Sequence, residues 1–128
     1  MPEPRKPIQP GDSEAIARRC AEICEDTKAE NVLIYDVRGE SVLTDFYLIC
    51  SAGSDPHLRA VKSQLERGMR EQGLHPRHVS GTPSSHWIII DFGDVLAHVF
   101  HPSLREYYKL EELWDAKQII YRSRDALV

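Results

Sequence analysis

The chain has 128 residues, of which 41% are hydrophobic and 28% charged, ordinary values for one folded domain. They exclude the disordered and collagen-like classes, and the longest apolar runs, Val32 to Tyr35 and Trp87 to Ile90, fall far short of the ~20 residues a membrane helix needs. Sixteen Lys and Arg against twenty Asp and Glu leave a net charge of −4, which argues against holding nucleic acid by its phosphates and for meeting a basic partner.

Residues 1–12 carry Pro2, Pro4, Pro7 and Pro10 and read as a flexible leader; no apolar stretch follows the basic residues, so it is not a secretory signal. Asp12 or Ser13 caps a first helix over 13–29, in which Ile16, Cys20, Ile23 and Cys24 recur at helical spacing. Cys20, Cys24 and Cys50 make an odd thiol count without a disulfide framework, so they are expected as buried, inert thiols in a reducing, cytoplasmic setting. Val32–Val37 reads as a strand, Arg38–Ser41 as a turn with Asp36 and Asp45 bracketing it for turn chemistry and ion pairing, and Thr44–Ser51 as a strand buried on both faces. Ser54, Asp55 and Pro56 start a second helix, Leu58, Val61, Leu65 and Met69 give it an apolar stripe, and Gly73 ends it. Arg77–Ser80 is a short strand and Gly81–Ser85 a loop. His86–Asp91 and Asp94–Phe100 then form a hairpin around Phe92-Gly93, and Pro102 starts a short helix containing Leu104, Tyr107 and Tyr108, which Leu110–Trp114 continues after a bend. Residues 118–128 are expected as a partly helical, solvated tail beyond a domain over 13–117. The order predicts an α/β fold: a single mixed sheet of about five strands with helices mainly on one face.

The hairpin is the most informative segment. A two-residue loop at Phe92-Gly93 sets Trp87 opposite His98 and Ile89 opposite Leu96. One face then holds Trp87, Ile89, Leu96, His98 and Phe100, and the other Ile88, Ile90, Val95, Ala97 and Val99. The aliphatic set suits packing under helices; the aromatic set, with a polar edge, has the composition of a protein-binding hot spot. Phe is poor at a turn position of positive φ, so a bulge at Gly93 is the other arrangement. Asp91 and Asp94 flank the turn; as a pair they suit Mg²⁺ in a nucleotidyltransferase-like enzyme, whereas singly they suit turn formation. Ser51–Asp55 is similar to the Gly-Ser turn of nucleotidyltransferases, but Arg77–Ser80 supplies no carboxylate pair, which leaves a helix start as the plainer reading. None of the six histidines shows two-His metal spacing, and no cofactor is expected.

Tyr35-Asp36-Val37-Arg38, Ser41, Thr44–Ser51, Ser54 and His57, then Trp87–Val95 with His98-Val99-Phe100, and Arg105, Tyr107, Tyr108, Leu110-Glu111 and Leu113-Trp114, together resemble the ribosomal silencing factor family, also called iojap-like proteins. The resemblance spans roughly residues 13–117. It implies a nucleotidyltransferase-like fold without the catalytic acids, no enzyme activity, and binding to the large ribosomal subunit through ribosomal protein number fourteen. By the same resemblance the bound factor is expected to block joining of the small subunit sterically and to repress translation, and homodimers are expected; the acidic charge balance and the short apolar runs argue separately against direct contact with nucleic acid or membrane. Two positions depart from the family pattern: Ala52 stands where glycine is usual, with Gly53 beside it, and His86 stands where an acidic residue is frequent. The residues expected to bind the partner are Trp87, Phe92, His98 and Phe100 as anchors, Asp91, Asp94 and Arg105 as rim charges, and Tyr108 as support.

Overall fold

The structure, a computed structural model, describes residues 12–126, so the expected leader lies outside the described residues except for Asp12. Asp12 opens helix α1 (Ser13–Asp26): its side chain accepts from the Ala15 N–H, one of the first-turn donors that the helix leaves unpaired. The helix stops short of residue 29 because Lys28 turns to a φ of 65°. Strand β1 (Glu30–Asp36) follows. Asp36 then anchors the next turn by accepting from the Arg38 backbone N–H and pairing with its guanidinium at 2.7 Å, which holds the carboxyl below its usual pKa.

Strand β2 (Phe46–Ser51) leads to α2 (Asp55–Arg70), capped by the Ser54 hydroxyl, which accepts from the His57 N–H. Leu58, Val61, Leu65 and Met69 are all fully buried, as their spacing predicts. Ala52 is also fully buried, with its N–H on the Phe100 carbonyl. Gly53 beside it has no positive φ, so this turn makes no demand for glycine.

Strand β3 (His78–Thr82) takes in Gly81 and Thr82 from the expected loop, and a single 3-10 turn over Pro83–Ser85 follows. His86 sits at φ 65°, so strand β4 (Trp87–Asp91) begins one residue later than expected. Strand β5 (Val95–Phe100) leads to helix α3 (Pro102–Tyr108), and two further 3-10 turns, Leu110–Leu113 and Ala116–Gln118, lead to strand β6 (Ile119–Arg122).

Among the described residues the sheet has six strands in the order β3-β4-β5-β2-β1-β6, one more than expected. The extra one comes from the residues read as a tail. β6 pairs antiparallel with β1, and the Ser123 hydroxyl and carbonyl-bound N–H fasten its end to Val32. β2 and β5 run parallel at the centre, and the other pairs among the described strands are antiparallel.

α1 and α2 cover one face, over a core that includes Ile34, Leu48, Val61, Leu65, Ile88, Ile90, Val95, Ala97 and Val99. Each such Val, Leu or Ile side chain contributes about 1.5–3 kcal/mol on burial. α3 and the two 3-10 turns that follow it lie on the opposite face, where Leu33, Tyr35, Val37, Ile49 and Phe100 pack with Leu104, Leu110, Trp114 and Ile119 into a second, smaller core.

The β4–β5 register differs from the expected one by two residues. Trp87 faces Phe100, Ile89 faces His98 and Asp91 faces Leu96. The loop residues are Gly93 and Asp94, closed by the Phe92 N–H on the Val95 carbonyl at 2.9 Å. Gly93 takes φ 88° at the first central position, where a type II′ turn wants glycine, and Phe92 is spared a conformation its Cβ resists. Because side chains alternate with a period of two, a two-residue slip leaves both face sets intact.

Candidate functional site

The sheet face opposite α1 and α2 is only partly covered by α3. Strand pairing lays out its rows. Ser80, Ile89, His98, Ile49 and Leu33 form one; Asp91, Leu96, Tyr47 and Tyr35 form the next; Thr82, Trp87, Phe100 and Ser51 form the third. Aromatic contacts run both along these rows and diagonally between them. Trp87 stacks on Phe100 with centroids 5.2 Å apart and planes at 15°, and meets Tyr108 of α3 at 5.0 Å. Its indole N–H donates to Nδ1 of His98 at 3.1 Å. His98 stacks on Tyr47 at 5.4 Å and 16°, and Tyr47 leans on Trp114 at 5.5 Å. The result is a continuous chain of rings, Tyr108–Trp87–His98–Tyr47–Trp114, across β4, β5 and β2. A groove of about 400 Å³ runs beside it, walled by Trp87, Ile89, Leu104 and Tyr108.

Burial sets the electrostatics of this chain. It pushes the His98 imidazole down to about 4, so the ring is neutral at physiological pH, and it raises the Tyr47 phenol. Neutrality matters because indole can only donate: Nδ1 of His98 must carry the lone pair, and the ring proton must sit on Nε2.

The expected anchors fall into different places. Trp87 is half-buried and Tyr108 is 51% exposed, so both reach solvent. Phe100 is completely buried and His98 only 6% exposed; they stand behind Trp87 and are not themselves contact surface. Phe92, just beyond the end of β4, packs into the core beneath the helices. Arg105 is not a rim charge: it is 7% exposed, paired with Glu111 and donating to the Ser51 hydroxyl at 3.0 Å, which fastens α3 to the end of β2. Tyr47 and Trp114, both half-buried, join the surface without having been expected there. Tyr47 reaches it through the parallel β2–β5 pairing, for which no local pattern gives a signal.

Asp91 and Asp94 both serve the hairpin turn and its surroundings. The Asp91 carboxylate accepts from the Gly93 N–H at 2.7 Å, the turn-forming use, while Asp94 offers its backbone carbonyl to the N–H groups of Asp45 and Phe46. Among the described residues no group of three or more His, Cys, Asp or Glu could hold a metal ion, and no helix is long and apolar enough to cross a membrane. All three cysteines are buried, and burial pushes the Cys20 thiol up to about 12. His86 lies apart from the ring chain, with Nε2 on the Asp55 carboxylate at 2.8 Å.

The family described as "Ribosomal silencing factor during starvation" matches residues 10–127 of this chain. The chain belongs to that family. Among ribosomal silencing factors, the RsfS protein of Bacillus subtilis is 35% identical over 103 residues, which cover 80% of this chain and 87% of that protein. The RsfS protein of Halalkalibacterium halodurans is 40% identical over 90 residues, or 70% and 77% of the two chains. A crystal structure from Bacillus halodurans superposes with a TM-score of 0.74 at 33% identity, covering 84% of this chain and 98% of that one. Sheet, helices and hairpin are thus those of a ribosomal silencing factor fold.

Proposed function

We propose that this ribosomal silencing factor binds the large ribosomal subunit through ribosomal protein number fourteen, and that its bulk then keeps the small subunit from joining, so that translation is repressed. The reading is cytoplasmic and needs no bond-making step. The observation that carries it is the half-exposed chain of rings on the part of the sheet that α3 leaves uncovered, in a chain that belongs to this family. Aromatic side chains fixed by their neighbours lose little freedom on binding, which suits them as anchors. The net charge of −4 favours encounter with a basic protein over direct contact with RNA. Pairing of two copies belongs to the same reading, and sedimentation velocity of the free protein measures it.

The test is sedimentation of the purified protein with separated ribosomal subunits. Wild type is expected to travel with large subunits and to lower the yield of joined ribosomes. Trp87→Ala should weaken that binding by about 2 kcal/mol, roughly 30-fold, with an unchanged circular dichroism spectrum. A folded Trp87→Ala protein that binds like wild type would remove the ring chain from the docking surface.

A further inference from the structure

We propose that His98 is a positioning residue for docking: by taking the Trp87 N–H on its Nδ1 it locks the indole in one orientation, so that the partner meets Trp87 through its ring carbons and not through a hydrogen bond. The inference rests on the docking reading above and specifies the chemistry by which that site is met.

Three observations carry it. The indole N–H is the one polar handle of a tryptophan, and here that donor is spent inside the molecule at 3.1 Å. His98 is itself immobilised, stacked on Tyr47 and held on β5 between β4 and β2, so it offers a fixed acceptor. The third is a cost. Nε2 of His98 is buried with no hydrogen-bond partner among the described residues, although the ring must place its proton there to leave Nδ1 free. A buried donor without an acceptor is a penalty that an aliphatic side chain at this position would avoid. A histidine here is explained by the use made of its other nitrogen.

Orientation and docking are measured separately. In ¹⁵N-labelled full-length protein the two tryptophans give two indole resonances, and Trp87→Phe identifies the one from Trp87. His98→Asn keeps an acceptor near the Nδ1 position, whereas His98→Gln moves it toward Nε2 and His98→Leu abolishes it. We expect His98→Leu and His98→Gln to shift the Trp87 indole resonance and to speed its hydrogen exchange, and His98→Asn to stay close to wild type. In sedimentation with large subunits, His98→Leu and His98→Gln should bind roughly tenfold more weakly, as for a donor left unpaired, and His98→Asn should recover most of the loss. In a Trp87→Phe background, which has no N–H to orient, exchanging His98 for Leu or Gln should change affinity by less than about twofold. An unchanged indole resonance in both His98→Leu and His98→Gln overturns the proposal. So does an equal loss of affinity in the Trp87→Phe background, which would make His98 a contact in its own right. If wild type fails to bind large subunits, the docking reading falls, while the indole exchange rates still decide whether His98 orients Trp87.

Discussion

His98 serves Trp87 only as a neutral ring, and this gives the fold a pH signature. Burial pulls the imidazole to about 4, while the unfolded chain takes up its proton near 6.5. Between these values the unfolded state binds more protons than the folded one. Stability is therefore unaffected by this group above pH 6.5 and falls as pH drops toward 4, the loss over that range amounting to about 3 kcal/mol. Urea unfolding at a series of pH values should show this fall in wild type, and His98→Asn should flatten that part of the curve; equal slopes in the two proteins would contradict the assignment. At this scale the sequence was informative about membership and not about exposure. Alternation alone puts Trp87, Ile89, Leu96, His98 and Phe100 on one face, and they are there. Which of them reach solvent depends on α3, which packs Leu104 against that face and seals Phe100 while leaving Trp87 half open.

Elements were legible where a local rule marks them. Asp12 and Ser54 cap helices as their positions promise, because the cap bond closes within three residues. The hairpin loop moved to Gly93 and Asp94 because the need for positive φ falls on glycine. β6 had no such mark. Ile119-Ile120-Tyr121 has strand composition, but the segment becomes a strand only by pairing with β1 and by the Gln118 side chain reaching the Asp36 carbonyl, contacts remote in sequence. Arg122 and Arg124 give the same stretch a basic excess that reads, from sequence, as a solvated end. α3 depends on a similarly remote tie, from Arg105 to Glu111 and Ser51. Arg105→Ala would leave the Glu111 carboxylate half-buried without its cation, and we expect a loss of about 3 kcal/mol in urea unfolding. Because α3 carries Tyr108 to Trp87, the same variant should also weaken large-subunit binding in the sedimentation assay.

For the whole molecule, a ring-based surface on a chain of net charge −4 should respond weakly to salt. Proteins that bind by phosphate contacts lose roughly 10³–10⁵ in affinity between 50 and 200 mM salt. Here the loss over that range should stay below about tenfold, because apolar contacts release no condensed counterions. A steep salt slope in the subunit-binding assay would point to ribosomal RNA as the ligand. The helix-covered side has a practical consequence of its own. Cys20, Cys24 and Cys50 have no exposed surface, and the Sγ atoms of Cys24 and Cys50 lie 3.8 Å apart between α1 and β2. A maleimide dye therefore has no native target until the helical layer lifts away. A single cysteine introduced on the exterior will accept a fluorophore alone, and slow modification of the three native thiols becomes a clock for how frequently the molecule opens.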